Sequence, residues 1–132
     1  MTDGRKVAQA QGLFYLMSGV WPLIHMRSFE LLLGRKEEHW LVHTVSGLLM
    51  ANGISQLRTE SAPAAISAAR RTGLGTATSL ALIDFRYAAT GRISRMYLLD
   101  ALIEAGWILA WTRVRAPRLN PDAGSKPFRQ IR

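Results

Sequence analysis

The chain has 132 residues, enough for one domain, and carries 17 Lys and Arg against nine acids, a net charge of +8. It contains no cysteine, which excludes disulfides, thiolate metal sites and cysteine nucleophiles. The positive charge invites nucleic acid as a partner, but the basic residues flank apolar stretches instead of forming a stripe with interleaved aromatics, so none is expected.

The first element runs from about 7 to 26. No Asp, Glu, Lys or Arg lies between Lys6 and Arg27, and Leu13, Phe14, Leu16, Met17, Val20, Trp21, Leu23 and Ile24 fall in this interval. About 20 helical residues rising ~1.5 Å each match a hydrocarbon layer of ~30 Å, so the pattern predicts a transmembrane helix. Arg5 and Lys6 ahead of the apolar run resemble the opening of a signal peptide, but no Ala-x-Ala-like site follows, and an uncleaved helix is expected. Pro22 removes one backbone hydrogen bond and should bend the last turn. A polar loop is expected from Arg27 to Glu38, with Gly34 as a stop.

The second helix is placed at 39–57, where Gly47 and Ala51 share a face suited to close approach. Ser61, Ala62 and Pro63 read as the start of a third helix over 63–89, with Ser61 as cap and proline in the first turn. Its membrane part begins after Arg70 and Arg71. Gly73, Thr76, Ala77, Leu80, Asp84, Tyr87 and Gly91 form its small and polar face. A fourth helix at 94–112 follows, capped by Ser94. The tail 113–132 is basic and carries Pro117, Pro121 and Pro127, which predicts extended or disordered chain. The expected fold is therefore all-α: a four-helix transmembrane bundle over 1–112 with a basic disordered tail. Mean hydropathy is low for such a protein, +0.05, because the charges cluster between and beyond the apolar runs. A soluble bundle is the competing reading, weakened because a helix apolar all round needs a large core to bury it. Lys and Arg are more numerous at the N-terminus, in the loop after the second helix and in the tail than in the other two loops. The positive-inside rule then puts both termini in the cytoplasm of a bacterial inner membrane.

Polar chemistry concentrates on the fourth helix. Tyr97, Asp100, Glu104, Trp107 and Trp111 form one stripe, and Leu98, Leu99, Leu102, Ala105, Leu109 and Ala110 cover the other side. The short connection Gly91–Ser94 makes the third and fourth helices an antiparallel hairpin, which brings Asp84 level with Asp100. Arg86 is nearly level as well, so an Arg86–Asp100 pair and an Asp84–Asp100 pair are both open. His25 ends the first helix, and His39 and His43 open the second. The candidate polar pocket in the outer half of the bundle thus comprises His25, His43, Asp84, Arg86, Asp100, Glu104 and Trp107. Ionisable groups at membrane depth are expensive, so their presence calls for a structural partner or a function. His39 and His43, at i, i+4 spacing, are a weak metal-binding pair, and solvated or capping histidines are the blander reading. There is no Gly-rich phosphate loop, nucleophile motif or zinc box, so neither a cofactor nor a resident metal is expected.

Two stretches carry a resemblance: Trp21 to Glu30 with Trp40 to Val45, and Gly91 to Ala101 followed by Glu104. They resemble a group of small uncharacterised bacterial four-helix membrane proteins, distantly similar in layout to DoxX-like proteins. The resemblance implies the four-helix layout and brings no activity, cofactor or substrate. This chain has Gly34, Arg35 and Lys36 where the group's pattern has Gly-Pro-Lys. The expected role is structural or accessory, with the lipid bilayer and a second copy or a membrane subunit as partners. A small proton-coupled transporter is the alternative, although small multidrug transporters keep their key Glu in the first helix, which here has no acid. An enzyme or redox accessory acting on a lipid-soluble substrate is the third reading and the less favoured one.

Overall fold

Helix formation follows the apolar runs. The structure, a computed structural model that describes residues 3–115, holds α1 (Gly4–Leu33), α2 (His39–Leu57), α3 (Pro63–Ala89) and α4 (Met96–Thr112), with no strand among the described residues. The all-α four-helix expectation stands. The transmembrane part of it gains no support from the helices taken singly: among the described residues, no helix is long and apolar enough to cross a membrane. Their interiors explain this. Gln9 and Gln11 interrupt α1, Asn52 and Gln56 interrupt α2, Asp84 and Arg86 interrupt α3, and α4 carries Asp100 and Glu104 within only 17 residues. The expected disordered tail lies, from residue 116 onward, outside the described residues.

The helices alternate in direction. Gly12 of α1 meets Gly53 of α2, and Gly19 meets Ser46, which sets an antiparallel first hairpin. Gly73 meets Trp111 while the Asp84 and Asp100 carboxyls meet, which sets an antiparallel second hairpin. α1 and α2 pack mainly on each other, as do α3 and α4, and α1 also touches α3 and α4. The 34–38 and 90–95 connections therefore lie at one end of the bundle.

Three boundaries differ from the expectation. α1 does not stop near 26 but continues to Leu33 across a kink at His25 (φ −145°, ψ 74°), three residues after Pro22. Local side chains satisfy the backbone freed there. The Ser28 N–H donates to His25 Nδ1 at 3.1 Å, and Ser28 Oγ donates to the His25 carbonyl at 3.0 Å. Trp21 Nε1 donates to Ser28 Oγ at 2.8 Å, and the Trp21 and Phe29 rings meet edge to face at 5.6 Å. α3 is capped at Ala62 instead of Ser61, whose hydroxyl accepts from Arg5 instead. α4 begins at Met96, and Ser94 Oγ accepts from the Met96 N–H.

The distribution of side chains is inverted relative to a water-soluble globule. Gln11, Tyr15, Gln56, Glu104 and Trp111 are the largest fully buried residues. Leu31 is 83 % exposed, Ile24 78 %, Leu102 70 %, Leu48 67 % and Leu82 65 %. The small apolar core, Val7, Ala8, Ala69, Trp111 and Val114, sits at the end opposite the two hairpin connections. Elsewhere the helices approach closely at Gly12, Gly19 and Gly53 in place of large aliphatic packing.

Candidate functional site

α4 turns its polar stripe inward. Glu104 and Trp111 are buried and Asp100 and Trp107 half-buried, while Leu99, Leu102 and Leu109 face out. Trp111 Nε1 donates to Gln11 Oε1 at 2.7 Å. Gln11 Nε2 donates to the Gly73 carbonyl at 3.2 Å and to Tyr15 Oη at 3.0 Å. Tyr15 Oη in turn donates to Glu104 Oε2 at 2.8 Å. A continuous buried chain of hydrogen bonds thus joins α4, α1 and α3 and ends on a carboxyl. Gly73 is required where it is, because a Cβ there would collide with the Gln11 and Trp111 polar atoms.

Beyond Glu104 the carboxyls of Asp84 and Asp100 face each other across the α3–α4 hairpin. Asp84 and Glu104 are buried, and neither Asp84 Oδ2 nor Glu104 Oε1 has a hydrogen-bond partner among the described residues. These three acids line one wall of a cavity of about 470 Å³ at the hairpin-connection end. Its other walls are mostly apolar, with rings from Phe14, Trp21, Phe29 and Tyr97 and aliphatic side chains from Val42, Leu49 and Leu80, and with the hydroxyls of Ser18 and Ser46 among them. The volume lies in the range of small-molecule sites, ~300–1,000 Å³, and the mix of apolar walls with a few convergent polar groups is what such sites use.

The residues singled out in the sequence divide. Asp84, Asp100 and Glu104 are together at the cavity. Trp107 packs against Phe14 with the rings tilted by 45° and their centroids 6.0 Å apart, but it does not line the cavity. Arg86 is exposed, so the Asp84–Asp100 pair forms and the Arg86–Asp100 pair does not. His25 is at the kink and exposed, and His43 is exposed on the flank of α2. Asn52 is occupied elsewhere, donating to Thr76 Oγ1 at 2.7 Å. His39 Nε2 lies 2.8 Å from Glu30 Oε1, and His43 takes no part in that contact. Among the described residues, no group of three or more His, Cys, Asp or Glu is placed to hold a metal ion. Glu30 also accepts from the Lys36 backbone N–H at 3.0 Å, and this bond, followed by His39, holds its carboxyl below the usual glutamate range. Lys36 sits over the Tyr97 ring with Nζ 4.6 Å from the centroid, and partial burial holds it below the usual lysine range.

Tyr15, Gln11 and Gln56 were not among the sequence-derived candidates. A signal existed: Gln11 and Tyr15 lie one helical turn apart, on the face that also carries Gly12 and Gly19.

The register at the cavity is open to a direct test, because the native chain is free of cysteine. In the double variant Asp84→Cys/Asp100→Cys, the two thiols should crosslink with a short bifunctional reagent, whereas Arg86→Cys/Asp100→Cys should react far less. A separation beyond ~15 Å, three helix turns, would show the hairpin register to be wrong.

No family model, curated protein or solved structure matches the chain. The DoxX-like layout accordingly gains nothing from these comparisons.

Proposed function

We propose that this chain is a small membrane-embedded four-helix bundle that binds a small, largely apolar molecule in the cavity beside Asp84, Asp100 and Glu104. The observation that carries the reading is the inverted side-chain distribution: glutamines and carboxyls buried, leucines and isoleucines exposed on the outer faces. In water such an exterior would form apolar patches far larger than soluble monomers tolerate. In a bilayer it is the expected arrangement, since polar residues of membrane helices face the bundle interior and one another. The modest apolarity of each helix then has a simple cause. Its polar residues are on the inward face, and an average over the whole helix hides the lipid-facing side.

A cavity distinguishes ligand binding from a purely structural role. Carboxyls kept only for packing would be paired with cations or fully hydrogen-bonded, whereas Glu104 Oε1 has no partner among the described residues. In this reading the basic flanks orient both termini to the cytoplasm and the cavity to the opposite leaflet of a bacterial inner membrane.

Fractionation of the expressed chain tests it. The protein should sediment with membranes, resist extraction by high salt and alkaline carbonate, and enter solution only with detergent. Reporters fused after Arg132 and inserted at Gly34 should read opposite sides. Recovery in the soluble fraction without detergent overturns the membrane reading.

A further inference from the structure

We propose that the ligand of the cavity is a lipophilic organic amine in its ammonium form, with the Asp100, Asp84 and Glu104 cluster as its counter-ion. The inference rests on the cavity being a small-molecule site and adds the chemical class. Three carboxyls share one wall, and among the described residues none of them is within ion-pairing reach of a Lys or Arg. Glu104 is fully buried, and its Oε1 has no hydrogen-bond partner among the described residues.

The remaining walls decide what kind of cation. Among the described residues no group of three or more His, Cys, Asp or Glu is placed to hold a metal ion, and most of the remaining cavity wall is apolar. An ammonium group on an apolar body uses both halves: its N–H donors meet the carboxyls, and its carbon meets Phe14, Trp21 and Phe29. Aromatic rings beside acidic groups are a favourable setting for organic cations. The protein already supplies an example at the rim. The Lys36 ammonium lies over Tyr97, itself a wall residue, with Nζ bonded to the Leu33 carbonyl and not to the acids. Asp100, the most open of the three acids, meets the ligand first, and Asp84 and Glu104 supply charge behind it.

The test uses the purified full chain, in detergent or in buffer according to how it fractionates, and three probes of one shape: 4-phenylbutylamine, 4-phenylbutanol and 4-phenylbutyrate. Calorimetry should give saturable binding of the amine, tighter than the alcohol by on the order of tenfold, with the carboxylate weakest. Asp100→Asn should abolish the preference for amine over alcohol while leaving alcohol binding in place. Glu104→Gln should reduce that preference as well. If a variant does not fold, the wild-type order of the three probes still decides. An alcohol or carboxylate that binds as tightly as the amine overturns the assignment of the ligand class and leaves the small-molecule site standing. Absence of binding by all three overturns both. Amine affinity unchanged in folded Asp100→Asn and Glu104→Gln places the ammonium elsewhere and overturns the proposal.

Discussion

Gly53→Ala is expected to destabilise the bundle by about 1–3 kcal/mol, and Gly47→Ala on the same helix to stabilise it by about 0.5–1 kcal/mol. The same methyl is added in both, so helix propensity favours both equally. The surroundings differ. A Cβ at Gly53 would lie 2.6 Å from the Gly12 carbonyl oxygen and 2.7 Å from the Leu16 nitrogen, both backbone atoms that cannot rotate away. At Gly47 nothing lies within 4 Å. The only relief at Gly53 is to move α1 off α2, which also opens the contacts of Gly19 with Ser46 and Met50. Thermal melting of the two variants against wild type reads the difference in sign. A neutral Gly53→Ala would mean that the two backbones do not approach this closely.

This pair also marks where sequence reading stops. A small residue four positions from another, Gly47 and Ala51, predicts a close-approach face, yet α2 turns that face outward. The informative spacing was seven: Gly12 and Gly19 on α1 match Ser46 and Gly53 on α2, and only the two patterns taken together select the face. Helix number and the α2 and α3 bounds were legible because apolar runs and a proline in the first turn of α3 are local signals. The end of α1 was not, because the pattern contains Pro22 but cannot show that the chain kinks at His25 and continues, with the Ser28 N–H and the His25 carbonyl satisfied by side chains.

At the site, height was legible and azimuth was not. The short 90–95 connection fixes the register of the second hairpin, and so Asp84 comes level with Asp100. The histidines were placed by height alone. His43 stands roughly a quarter-turn from the middle of the face that carries Val42, Ser46, Leu49 and Gly53, and at 100° per residue that suffices to put it outside. Tyr15 escaped notice because a tyrosine in an apolar run reads as packing until its partner is known. That partner, Glu104, is far away in sequence.

The second large effect is expected at that partner. Tyr15→Phe removes the only hydrogen-bond donor to Glu104 found among the described residues, at a place where neither side chain reaches solvent. An acceptor left unsatisfied at such depth costs about 1–3 kcal/mol, so Tyr15→Phe should lower stability by that amount although it deletes a single oxygen. Gln11 keeps its bond to the Gly73 carbonyl and its acceptance from Trp111, which confines the damage to the Glu104 end of the chain. The double variant Tyr15→Phe/Glu104→Leu replaces donor and acceptor by carbon and should recover most of the loss, since removing both partners leaves nothing unpaired. The coupling energy from the cycle should be about 1–2 kcal/mol, because the acceptor is a buried carboxyl. Melting of the wild type, both single variants and the double variant under one condition measures it. Additive losses would show that Tyr15 and Glu104 are not joined. A Tyr15→Phe variant as stable as wild type would show that Glu104 is supported by water or another donor, and the cavity would then hold solvent instead of an unfilled acceptor.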